Sequence, residues 1–96
     1  MQSLAEAKID KSLVGDIAYS RNDMIGDVVA QSIRRNNLDR ALIMGNVYKR
    51  KVVIKFANRY GQRLSTEATV WAVTENHVML KGGKIIPIRS IYEVDV

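Results

Sequence analysis

Two short stretches hold the residues best suited to chemistry. In Arg59-Tyr60-Gly61-Gln62-Arg63 two guanidinium groups bracket a tyrosine and a glycine, and in Lys81-Gly82-Gly83-Lys84 two ammonium groups bracket a glycine pair. Guanidinium and ammonium groups neutralise phosphates, and an exposed tyrosine stacks on a base. Backbone amides beside glycines can come close to an anion. Charged turns also occur simply as solvated hairpin tips. A second basic group, Lys49-Arg50-Lys51, precedes an apolar run and reads either as a phosphate contact or as the solvated start of a strand.

Catalytic and metal chemistry is poorly provided for. His77 is the only histidine and there is no cysteine. That removes thiolate nucleophiles and disulfides, and it leaves no histidine pair for zinc. Glu67, Glu75, Glu93 and Asp95 are the carboxylates of the C-terminal half, and no spacing marks two of them as a general acid and base. Walker and Rossmann glycine motifs are missing. The expectation is a protein that is not an enzyme and needs no metal or cofactor.

The charge balance supports an anionic partner. Residues 1–46 carry six basic and six acidic side chains, whereas residues 47–96 carry nine and four, so the whole +5 excess sits in the C-terminal half. Such asymmetry suits a polyanion-facing surface. No apolar run reaches the roughly 18 residues of a membrane span, and the first residues do not read as a secretory signal. A cytoplasmic protein is expected.

Residues 1–46 read as a helical segment and residues 47–96 as a β segment of one structural domain. Ser3 and Glu6 have capping-box spacing ahead of Leu4, Ala5, Ile9 and Leu13, with Gly15 as a stop. A second helix is expected from Ser20 or Asn22, carrying the stripe Met24, Ile25, Val28, Val29 and Ile33. The pair Asn36-Asn37 reads as a break, and Leu38–Met44 as a short third helix ended by Gly45-Asn46.

The period then changes to two. Val52, Ile54 and Phe56 alternate with Val53, Lys55 and Ala57. The run Leu64–Val73 is long and becomes apolar on both sides near Trp71 and Val73, the pattern of a strand that bends to serve two sheets. Trp71 and Phe56 are expected in the core. Strands at 77–81, 84–89 and 90–96 complete a five-stranded meander. Pro87 lacks a ladder donor and belongs on an edge or at a bulge. Five such strands are expected to curl into a closed antiparallel barrel preceded by the helices, an α+β fold. Alternate turns of a meander share an end. Arg59, Tyr60, Arg63, Lys81 and Lys84 are therefore expected at one rim, and Lys49–Lys51, the Thr74–His77 turn and Arg89-Ser90 at the other.

The apolar strand, glycine turn, long bent strand, short turn and final Ile86-Pro87-Ile88-Arg89-Ser90-Ile91-Tyr92 resemble the SH3-like small barrels of the Sm-like class. The same stretch is similar to the bacterial Rof and YolD-like families. Sm proteins carry Arg-Gly where this chain has Arg89-Ser90, and they usually hold an Asp and an Asn in the earlier loop, of which only Asn76 is matched here. The resemblance covers roughly residues 38 to 96. It implies RNA contacts at Asn76, His77 and Arg89, and it is compatible with a homo-oligomer formed by edge-strand pairing.

Two functions follow as expectations. One is a small nucleic-acid-binding or transcription-regulating accessory protein, facing RNA rather than DNA through a basic rim. The other is a protein-interaction module that binds or inhibits a larger enzyme through a barrel edge or the helical stripe, as Rof-like proteins do. A bacterial or phage regulator fits either.

Overall fold

The computed structural model describes residues 6–96. The chain runs β1 (Ala7–Lys8), a 3-10 turn (Lys11–Asp16), α1 (Val28–Tyr48), β2 (Val52–Ala57), β3 (Arg63–Ala68), β4 (Val70–Val73), β5 (His77–Leu80), β6 (Ile85–Pro87), a second 3-10 turn (Ile88–Ser90) and β7 (Ile91–Asp95).

The helical half is arranged differently from expectation: residues 28–44 are helical as expected, but within one continuous helix, and the described segment before Asp27 is not helical in the way expected. Ser3, Leu4 and Ala5 of the expected first helix lie outside the described residues. Beyond them, Ala7–Lys8 pairs parallel with Leu64–Ser65, and Ile9 donates its N–H to the Ser65 carbonyl at 2.8 Å. The Asp10 carboxylate accepts the Ser12 N–H at 2.9 Å and opens a tight turn instead of a helix. The same competition stops a helix from starting at Ser20 or Asn22. Ser20 Oγ accepts from the Asn22 N–H, and Asp23 Oδ1 from the Ile25 N–H. The helix begins only after Asp27, whose carboxylate accepts the Ala30 N–H at 3.0 Å.

Once begun, α1 continues without a break for 21 residues. Asparagine inside a helix costs only a few tenths of a kcal/mol, up to about 0.7. Burying Leu38, which is wholly enclosed with Ala41, contributes about 1.5–3 kcal/mol and outweighs it. Gly45 does not end the helix. A Cβ there would stand 2.3 Å from the Val70 carbonyl oxygen, so glycine is what lets helix and strand touch. The helix ends at Lys49, which takes the left-handed conformation (φ 55°) and donates its N–H to the Met44 carbonyl.

The expected closed barrel is not formed. The strands make two open sheets, of order β1-β3-β2-β7 and β4-β5-β6, and no ladder among the described residues joins them. The long run 63–73 divides at the buried Thr69, so β3 lies in one sheet and β4 in the other. Where a barrel would be zipped shut by hydrogen bonds, side chains fill the gaps instead. Helix α1 packs on β4 and β7, and the 3-10 turn at Lys11–Asp16 packs on β3 and β6. Leu38 and Ala41 from the helix and Val14 from the turn join Ile54, Phe56, Val78, Leu80, Ile86 and Ile91 in one core.

Within the sheets the two-residue period holds. β2 and β3 pair from Val52 with Ala68 to Ala57 with Arg63. The β2–β7 register slips between Lys55 and Phe56. A second slip between Val70 and Ala72 leaves Trp71 outside the ladder, and its side chain is 47% exposed rather than in the core. Phe56 is fully buried, and Pro87 closes β6, an edge strand. Among the described residues no helix is long and apolar enough to cross a membrane.

Candidate nucleic-acid interface

The turn between β2 and β3 is held by one side chain. Asn58 Oδ1 accepts the N–H groups of Tyr60 at 2.9 Å and Gln62 at 3.0 Å, and Asn58 Nδ2 donates to Gln62 Oε1. Gly61 supplies the positive φ of 80° that the tight reversal requires. This frame projects Tyr60 into solvent at 82% exposure. The Arg59 guanidinium stands 5.7 Å from the Tyr60 ring centre, and Arg63 stands 5.0 Å from that of Tyr92. The backbone of Arg59 is in turn anchored, donating its N–H to the Ala18 carbonyl at 2.8 Å. Arg21 lines the same shallow depression as Arg59, with Tyr19 and Ser20. Arg21 is not among the site residues expected from sequence, because its segment reads there as the start of a helix.

The Lys81–Lys84 turn touches the same strap of chain, residues 15–21. Gly82 and Gly83 both take positive φ, and the Lys84 side chain lies against Gly15. Lys84 and Arg59 thus border Gly15 and Ala18, positions that three residues of chain place at most ~11 Å apart. The two turns are thus linked through this one segment. The backbone N–H of Lys81 donates to the Thr69 carbonyl, beside the C-terminal half of α1.

The second expected rim does not assemble. Asn76 and Arg89 do line one cleft, with Asp23, Gln31, Arg34 and Arg35. Lys49 and Arg50 lie elsewhere. Arg35 donates to the carbonyls of Thr74 and Glu75, whereas Gly45 packs on Thr69 and Val70, so α1 runs antiparallel to β4. The fourteen residues from Arg35 to Lys49 carry the basic triplet about 21 Å from the Thr74–His77 turn. There Lys51 shares a groove with Lys8, Asp10 and Lys11.

In that cleft the arginines are occupied. Arg34 binds both carboxylate oxygens of Asp23 at 2.8 Å and the Ile91 carbonyl at 2.9 Å. Arg34 holds the Asp23 carboxyl below its ordinary value of 3.8. Arg89 Nε donates to the Ser20 carbonyl at 2.6 Å, and the Asn76 carbonyl accepts the Ile88 N–H. His77 is exposed, its N–H given to Thr74 Oγ1.

Acidic groups gather around Lys55 and Tyr92, on the Arg63 side of the β2–β3 turn. On the outer face of the first sheet Lys55 Nζ lies 3.4–3.8 Å from Glu6, Glu93 and Asp95, and the Tyr92 hydroxyl donates to Glu6. Partial burial lowers the affinity of Lys55 for its proton, but the three carboxylates outweigh it and the pKa is raised. Burial, reinforced by Glu6, raises that of Tyr92. Among the described residues, ion pairs engage only Lys55 and Arg34 of the fifteen lysines and arginines. The described residues also hold no group of three or more acidic or histidine side chains placed to bind a metal ion. No family model matches the chain, and comparison with curated proteins and with solved structures finds no match.

Proposed function

We propose that the chain is a small non-enzymatic nucleic-acid-binding accessory protein, acting on single-stranded RNA in the cytoplasm. Its contact surface is the β2–β3 turn, the strap behind it and the Lys81–Lys84 turn. Arg21, Arg59 and Lys84 meet backbone phosphates, and Tyr60 stacks on an unpaired base. One observation carries the reading. A rigid turn holds a tyrosine in open solvent beside exposed cations that have no carboxylate partner among the described residues. An aromatic ring so exposed buries little surface in the fold, whereas a stacked base contributes about 1–3 kcal/mol to binding. Single strands are favoured over duplexes because their bases are free to stack. Asn76 and Arg89 serve the fold in this reading, the Asn76 carbonyl accepting from the Ile88 N–H and Arg89 Nε donating to the Ser20 carbonyl.

The test is a fluorescence-anisotropy titration of labelled single-stranded RNA with paired substitutions. Arg59→Ala with Lys84→Ala is expected to weaken binding and to flatten its salt dependence by about 1.4, at ~0.7 per lost phosphate contact. Lys49→Ala with Arg50→Ala is expected to change it far less. An unchanged affinity in the first pair would overturn this placement of the surface.

A further inference from the structure

We infer that α1 is the interface of a two-fold dimer in which the helices of two identical chains pack antiparallel. The inference goes beyond the proposed RNA contact and does not depend on it. The inner face of α1 is accounted for by Arg34, Leu38, Ala41 and Gly45, all buried against the sheets. Its opposite face is unlike an ordinary solvated helix face. Val29 is 66% exposed, Ile33 56%, Ile43 55% and Val47 64%. With Asn36 and Arg40 these residues recur at alternating intervals of four and three, the spacing of a helix-pairing seam. The seam runs about 27 Å along the helix.

Its order identifies the occupant. Read from either end about Leu38, the seam gives valine, isoleucine, a polar residue, then a polar residue, isoleucine and valine. An isologous contact needs such self-complementarity. Antiparallel packing sets Val29 against the second copy's Val47, Ile33 against its Ile43 and Asn36 against its Arg40. Asp39, exposed beside the symmetry point, then offers each copy's Arg40 a carboxylate. Parallel packing would instead stack Arg40 on Arg40 in the seam, a like-charge contact that opposes association. The polar pair at the centre penalises slipped registers, as a single polar seam residue does in coiled coils.

Sedimentation equilibrium of the whole chain is expected to show a reversible monomer–dimer equilibrium, with dimer dominant at a few hundred micromolar. Ile33→Glu with Ile43→Glu is expected to abolish the dimer while leaving the circular dichroism and melting of the monomer unchanged, because both side chains are exposed within one chain. The absence of native cysteine makes orientation readable. A mixture of Val29→Cys and Val47→Cys chains is expected to form the mixed disulfide under mild oxidation, with either variant alone forming little. A chain monomeric at that concentration, a dimer indifferent to the two glutamates, or cross-linking of each cysteine variant only with itself would overturn the inference.

Discussion

Arg34 grips Asp23 through two hydrogen bonds of 2.8 Å and joins the chain ahead of α1 to the helix and, through the Ile91 carbonyl, to β7. Arg34 is 7% exposed, and its other partner among the described residues is the Ile91 carbonyl. Asp23→Asn is expected to lower stability by about 1–3 kcal/mol, because it leaves a buried charge short of its carboxylate. The native carboxyl titrates below its unfolded value of 3.8, so its contribution is present above that value and disappears as pH falls through the folded pKa. Denaturation of both proteins from neutral pH downward should show the gap closing in strong acid.

Gly45→Ala sets two effects against each other. Alanine favours a helix interior over glycine by about 1 kcal/mol. The added methyl would sit 2.3 Å from the Val70 carbonyl oxygen, which is backbone and cannot swing aside. Net destabilisation of about 1–3 kcal/mol is expected from the forced separation of α1 and β4. Gly26→Ala, where a Cβ meets nothing within 4 Å, is the control and is expected to stay within about 0.5 kcal/mol. Urea unfolding of the two variants tests the contrast.

Tyr19 packs against Phe56 and donates its hydroxyl to the Val14 carbonyl at 2.9 Å. Burial pushes its pKa up from 10.0 to about 12. The fold therefore favours the neutral phenol. That contribution is complete below pH 10.0 and is lost as pH rises through about 12. Tyr19→Phe is expected to cost about 1 kcal/mol at neutral pH and to reduce the alkaline loss of stability, as read from melts at increasing pH.

Tyr60→Ala should separate binding from folding. The ring is 82% exposed, and the turn is fixed by Asn58 rather than by the tyrosine. Melting should be unchanged, while RNA affinity falls by roughly 5-fold or more, the loss of one stacked base.

The strands after residue 51 were legible because a two-residue period is a local signal, whereas β1 lay in a stretch that reads as helix. Val52, Ile54 and Phe56 alternate as written, and the apolar crowding at Val70–Val73 marks the bend between the sheets. The helices were not legible, because distant contacts decide them. Asn36-Asn37 looks like a break until Leu38 is seen buried, and Gly45 looks like a stop until Val70 is seen against it. Closure of the β segment was misjudged for the same reason. Nothing in residues 47–96 reveals that α1 and Val14 will fill the gaps that ladder hydrogen bonds would otherwise close. The β2–β3 turn residues were readable from type alone. Arg21 became visible only through the hydrogen bond that ties Arg59 to Ala18, and the detachment of Lys49 and Arg50 from Asn76 only through the direction of the helix.

The most direct measurement is the affinity of the unaltered protein for a labelled single-stranded RNA across a series of salt concentrations. Three phosphate contacts should give a log–log slope of about −2, at ~0.7 per contact on a single strand. Lack of binding at low salt, or a slope near zero, would contradict an electrostatic grip by Arg21, Arg59 and Lys84.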